Sequence, residues 1–121
     1  MLACLLLAAG CSTPKSVAKM EGAGMRRVFD AQFDPVWTAA IAAAEMDDLR
    51  VLDSNKATGY ISARRAMSPA TFGENVGIWV RALTPVRTEV EIVSRQSGPP
   101  LFILGPSDRP LLKRIAIMVE E

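Results

Sequence analysis

Residues 75–94 read NVGIWVRALTPVRTEVEIVS, two alternating runs separated by the turn signal TPVR. In the first run Val76, Ile78 and Val80 fall on one side, and Gly77, Trp79 and Arg81 on the other. In the second, Val90 and Ile92 alternate with Glu89 and Glu91. Side chains along a strand alternate between faces, so both runs predict strands with one apolar and one polar side. Joined by so short a turn, they form an antiparallel hairpin. A lone hairpin is not stable in water, so other elements must cover its apolar face.

The neighbouring segments supply that cover. Upstream, RVLDS (50–54) begins a strand, NKATG (55–59) is a turn with Asn55 and Gly59 as breakers, and YISARRA (60–66) resumes as strand. Ile61 and Ala63 share one face, and Tyr60, Ser62 and Arg64 the other. MSPATFGE (67–74) is a loop carrying Pro69 and Gly73. Earlier still, MRRVFDAQF (25–33) alternates as a first strand, and Asp34 then caps a helix with Pro35 at its first position. That helix runs from Val36 to about Leu49, with Trp37, Ala40, Ile41 and Ala44 on one side and Trp37 a core residue. Downstream, RQSGPPLFILGPSD (95–108) is a long connection, and Ser107 or Asp108 caps a last helix. Leu111 or Leu112, Ile115, and Met118 or Val119 give that helix its packing stripe.

The expected fold is α+β: a single antiparallel sheet of about four strands with two helices on one face, in the order β-α-β-β-β-α. The second strand is interrupted at NKATG in this reading. The helices cover Val76, Ile78, Val80, Val90 and Ile92. The other face turns Tyr60, Arg64, Trp79, Arg81, Glu89 and Glu91 toward solvent or a partner.

Composition narrows the chemistry. The 121 residues suffice for one domain with its own core. Lys and Arg number 14 against 13 Asp and Glu, so no strong overall field draws in nucleic acid. Histidine is absent, which removes the commonest general base and the commonest metal ligand together. Both cysteines, Cys4 and Cys11, precede Ser12, so no thiol chemistry belongs to the domain. Phosphate-loop, nucleophile-elbow and zinc-helix motifs are missing as well. No cofactor and no metal are expected.

The chain opens MLACLLLAAGCSTPKS. Its apolar run, Leu2 to Ala9, is far short of the roughly 20 residues a membrane-spanning helix needs, and matches the hydrophobic region of a signal peptide. LAAGC, Leu7 to Cys11, resembles the lipobox of bacterial lipoproteins. The resemblance implies cleavage after Gly10, a diacylglycerol group on the Cys11 thiol and a further acyl chain on its amino group. Ser12 in the next position, where aspartate would mark retention, implies an outer-membrane protein facing the periplasm. Residues 1–10 are then a signal peptide, 11–24 a lipidated tether and 25–121 the domain. The alternative is an N-terminal strand or helix of the core in which Cys11 is a small buried hydrophobe.

FDAQFDPVWTAAIAAAE and RVLDSNKATGYISARR, followed by a hairpin and a C-terminal helix, resemble small bacterial lipoproteins of no assigned activity. In element order the chain is also similar, more distantly, to the small α+β domains of the lipoprotein subunit of the outer-membrane β-barrel assembly machinery.

Several side-chain groups are candidates for chemistry. Glu45, Asp47 and Asp48 make a carboxylate run that could hold Ca²⁺ or be a solvated helix end. Glu89 and Glu91 have a spacing that suits acid–base work, or cross-strand pairing with Arg64 and Arg81. Arg64, Arg65, Arg81, Arg87 and Arg95 could gather into a basic patch for lipid phosphate or peptidoglycan carboxylate. Tyr60, Arg64, Trp79 and Arg81 form a candidate binding face, with packing of Trp79 under the long loop as its rival. Leu101, Phe102, Ile103 and Leu104 form a candidate docking loop, with packing against the sheet edge as the alternative. The expected function is a non-enzymatic binding or scaffold module at the cell envelope, its partners the membrane through Cys11 and an envelope protein or anionic envelope component. An envelope hydrolase or transferase, and a carrier of an apolar ligand, are the alternatives.

Overall fold

Ile78 pairs with Ile92 and Val80 with Val90 across an antiparallel ladder, as the alternation of 75–94 predicts. A computed structural model describes residues 12–68, 73–98 and 107–120. Among the described residues the elements, in chain order, are α1 (Pro14–Ala18), β1 (Met25–Phe29), α2 (Phe33–Met46), β2 (Arg50–Asn55), β3 (Tyr60–Arg65), β4 (Glu74–Thr84), β5 (Arg87–Gln96) and α3 (Asp108–Glu120). All five strands join one open antiparallel sheet in the order β1-β5-β4-β3-β2.

The architecture is α+β, with five strands among the described residues where about four were expected. Residues 50–65 are not one interrupted strand but two, β2 and β3, paired antiparallel. The turn between them reverses the chain fully. Asn55 Oδ1 accepts from the Ala57 and Thr58 N–H groups, and Gly59 N donates to Asn55 O at 2.8 Å. Gly59 has φ +75°, and a Cβ there would lie 2.2 Å from the Val80 carbonyl oxygen. Only glycine combines that dihedral with so close an approach.

Two boundaries also move. β1 ends at Phe29, and Phe33 already opens α2, so Gln32 and not Asp34 sits at the N-cap. Asp34 instead lies in the first turn, where its charge favours the helix dipole. Pro35 is tolerated there because the first-turn N–H groups lack helical acceptors. α2 stops at Met46, three residues short of Leu49, through Asp48 at φ +59°.

The two long helices cover one face of the sheet, as expected. Phe29, Ile61, Ile78, Ile92, Leu111 and Ile115 are fully buried there, and Trp37 joins them from α2. Each such side chain contributes about 1.5–3 kcal/mol through removal from water. At one end of this core the Glu74 carboxylate, 2% exposed, accepts from Ser107 N, Ser107 Oγ, Ser94 Oγ and Arg65 Nε. Arg65 in turn pairs with Asp47 at 3.0 Å, tying the end of α2 to the start of α3.

The third helix, α1, was not anticipated. It lies against the opposite face of the sheet, where Val17 packs with Trp79 and Val93. A capping box starts it: Thr13 Oγ1 accepts from Ser16 N, and Ser16 Oγ accepts from Thr13 N.

Candidate functional site on the second sheet face

Of the expected tether, 11–24, the described residues 12–24 run along the face of β4 and β5 that the long helices leave bare. Three fastenings hold them, and these order the segment from the Asn75 end of β4 toward Arg81.

The first is Ser12. Its Oγ donates to the carbonyls of Arg95 and Gln96 at 3.1 and 2.8 Å. Asn75 Nδ2 donates back to Ser12 O and Oγ, both at 3.0 Å.

The second is apolar. Gly77 lacks a side chain on this face, and the space is taken by its neighbours. A Cβ at Gly77 would stand 2.9 Å from the Trp79 ring, 3.0 Å from Tyr60 Oη and 3.0 Å from Val17 Cγ1. The Tyr60 and Trp79 rings lie 4.9 Å apart, with Val17 and Met20 packed against them. Trp79 is only 5% exposed. Tyr60 Oη is buried without a hydrogen bond of good geometry among the described residues, and burial raises its pKa above the ordinary phenol value, an effect that the nearby Ser62 hydroxyl only partly offsets.

The third fastening is electrostatic. Arg81 Nη1 meets Glu89 at 2.8 Å, and Nη2 meets Glu91 and Glu21 at 2.7 Å each. The second oxygen of Glu91 accepts from Gly22 N at 2.8 Å and Gly24 N at 2.7 Å. Burial by itself would raise the Glu91 pKa. The hydrogen bonds from Arg81, Gly24 and Gly22 outweigh it and hold the carboxyl below its ordinary range. Burial opposes the charge on Arg81 too, and hydrogen bonds to Glu91, Glu21 and Glu89 overcome it, keeping the guanidinium charged.

The candidate binding face therefore divides. Tyr60, Arg64, Trp79 and Arg81 do share one side of the sheet, but Tyr60 and Trp79 lie under α1 and Arg81 is occupied by three carboxylates. Residues 12–24 pack over Trp79, and residues 99–106 of the long connection lie outside the described residues. Arg64 stays exposed. The expected basic patch divides likewise. Arg65 pairs with Asp47 and Glu74, and Arg87 with Asp30. Arg64 and Arg95 have no carboxylate partner among the described residues. Cys11 and the loop Leu101, Phe102, Ile103 and Leu104 lie outside the described residues.

Sequence reasoning missed Arg50. It pairs directly with Arg64 across β2 and β3, Arg64 pairs with Asn75, and Asn75 pairs with Arg95. A straight row, Arg95–Asn75–Arg64–Arg50, thus crosses the second face at the end where Ser12 is held. Beside it a shallow hollow of about 280 Å³ is lined by Asp48, Arg50, Leu52, Arg64, Ala66 and Met67. Nothing in the alternation of 50–55 reveals this pairing, because a bulge between Val51 and Asp53 shifts the register. A wider hollow of about 460 Å³ between β1 and α3 carries Arg26, Arg27, Arg109 and Lys113, with Arg27 paired to Glu120.

Among the described residues no cluster of three or more Cys, Asp or Glu is placed to hold a metal ion. Asp47, one of the carboxylates considered for Ca²⁺, is engaged by Arg65. No helix among the described residues is long and apolar enough to cross a membrane. No protein-family model matches the chain, and no curated protein matches it either.

Proposed function

We propose that this chain is a non-catalytic, lipid-anchored protein of the bacterial cell envelope whose small α+β domain serves as a binding or scaffold module. The lipid is carried on Cys11, at the outer membrane on its periplasmic side. The observation that carries this reading is the lipobox-like order of LAAGC, Leu7 to Cys11, and the fastening of Ser12 adds where the anchor starts. The residue that follows Cys11 is hydrogen-bonded to β4 and β5 through Asn75, Arg95 and Gln96, so an acyl chain on Cys11 starts from a defined end of the sheet. Such a protein sits against the bilayer in one orientation and does not swing on a linker. Several acyl chains hold a protein stably, where a single chain gives only marginal binding.

Two other readings find less support. An acid–base enzyme would use Glu89 and Glu91, yet both are committed to Arg81, and the lowered pKa of Glu91 keeps it from acting as a general acid near neutrality. A carrier of apolar ligands would need space between helices and sheet, which Phe29, Ile61, Ile78, Leu111 and Ile115 fill.

Cys11→Ala tests the anchor. The wild-type chain expressed in a bacterial host takes up labelled palmitate and fractionates with membranes, and the variant loses both. Retention of label and membrane association by Cys11→Ala would refute the reading. Crosslinking of the anchored protein in intact envelopes then identifies what the domain holds.

A further inference from the structure

The row Arg95–Asn75–Arg64–Arg50 combines three features that packing within the fold leaves unexplained. Arg50 and Arg64 are directly opposed across the β2–β3 ladder, an arrangement of like charges that costs stability. Neither they nor Arg95 are joined to a carboxylate among the described residues; Arg95 Nη1 donates to the Ser94 carbonyl. Asp48 lines the same hollow without forming an ion pair with either arginine. All three arginines are exposed.

The surroundings of the row are equally particular. Met67 is 71% exposed and Leu52 is 43% exposed, and both line the hollow with Arg50 and Arg64. Four adjacent strands separate the ends of the row by about 14 Å, the width of a few lipid headgroups. Ser12 is hydrogen-bonded to Asn75 and to the Arg95 carbonyl, inside the row itself. One peptide unit, about 3.8 Å, separates its Cα from that of Cys11.

We infer that this arginine row is a membrane-contacting surface that engages the phosphates of anionic lipids. Its orientation toward the bilayer rests on the reading of Cys11 as the lipid anchor. The phosphate layer supplies the countercharge that the fold withholds from Arg50, Arg64 and Arg95, and so relieves the repulsion between Arg50 and Arg64. Met67 and Leu52 are placed to enter the boundary between headgroups and acyl chains, as apolar residues flanking basic ones do at membrane surfaces. The acyl chain supplies attachment; the row sets which face of the domain lies down.

The test uses full-length protein purified with its native modification and co-sedimented with two kinds of vesicle, phosphatidylcholine alone and phosphatidylcholine mixed with phosphatidylglycerol. Binding to the neutral vesicles reports the anchor, and the ratio between the two reports the row. An arginine at an anionic surface contributes about 5-fold, so Arg50→Ser/Arg64→Ser/Arg95→Ser lowers the ratio by on the order of 100-fold. The wild-type ratio falls as salt is added. Replacing the same three by lysine keeps the ratio within about 3-fold, because a headgroup layer reads charge and not the planar fork of arginine. Lys56→Ser/Arg87→Ser, about 20 and 27 Å along the strands from the row, leaves most of it. Unchanged near-ultraviolet dichroism from Trp79 verifies that each variant is folded.

The proposal is overturned if the serine variant keeps the wild-type ratio, or if Lys56→Ser/Arg87→Ser loses as much. It is overturned as well if the lysine variant loses the ratio, or if inorganic phosphate abolishes it at matched ionic strength; either result would assign a discrete anion pocket instead. Absence of binding to neutral vesicles, with binding to the anionic vesicles present in the wild type and lost in the serine variant, would refute the anchor and leave the row standing.

Discussion

Arg81 and Glu91 meet at 2.7 Å on the second sheet face, and the far oxygen of Glu91 takes the N–H groups of Gly22 and Gly24. Glu91 is fully buried, so its charge is tolerated only because every one of these donors is in place. The pair closes the N-terminal segment onto a sheet nearly 70 residues further along the chain.

Breaking this pair should release the segment before it unfolds the domain. Arg81→Ala is expected to cost about 2–4 kcal/mol in urea denaturation, somewhat below the full figure for a buried pair because Arg81 keeps some contact with water. Arg81→Ala/Glu91→Gln should cost less than the sum of the single changes, since the two share one interaction. Hydrogen exchange at the Gly22 and Gly24 amides should accelerate in both single variants. Additive costs with unchanged exchange would show that the segment is held some other way.

Acid should act on the same clamp. The folded-state pKa of Glu91 is lowered, so its stabilising contribution is complete above the ordinary carboxylate value of 4.5 and disappears as pH falls through the lower folded value. As pH falls below 4.5 and through the lower folded value, the Gly22 and Gly24 amides should exchange faster, relative to the intrinsic rate at each pH, while amides of Ile78 and Ile92 stay protected. In Glu91→Gln this part of the acid response should vanish.

Gly77 is where the second face has no room. Gly77→Ala places a methyl against the Trp79 ring, Tyr60 Oη and Val17 Cγ1, each at 3.0 Å or less. The rings are stiff and Val17 is carried by a helix of five residues, so α1 is what must move. A cost of about 1–3 kcal/mol is expected, with a red shift in Trp79 emission as water reaches it. An unshifted emission spectrum at wild-type stability would refute the packing described.

Glu74 should behave as a structural carboxylate. Glu74→Ala leaves Arg65, Ser94 and Ser107 with lost acceptors at the buried end of the core, for an expected loss of about 3 kcal/mol by thermal or urea unfolding. Glu74→Gln should lose less, since its amide oxygen still accepts from the Ser107 N–H. Equal losses would mean that charge, not hydrogen bonding, decides the site.

Much of this architecture is written in short-range patterns. The period-two runs of 75–94 specify β4 and β5, Asn55 and Gly59 mark a turn but not that it reverses the chain into a second strand, and the stripe Leu111–Ile115–Met118 specifies α3. Each signal depends on neighbours within a few residues, so the sequence by itself determined the α+β class, the two long helices, the hairpin and the helix-covered face, but neither α1 nor the division of 50–65 into two strands. Tertiary structure alone decided what became of the other face. Val17 covers Trp79, Glu21 and Glu91 neutralise Arg81, and Arg50 comes to stand opposite Arg64. Charge pairing and cross-strand register join residues that are distant in the chain, and a single bulge or turn changes which ones meet. Alternation tells that Arg64 and Arg81 point the same way. Only the folded chain places three carboxylates around one and none against the other.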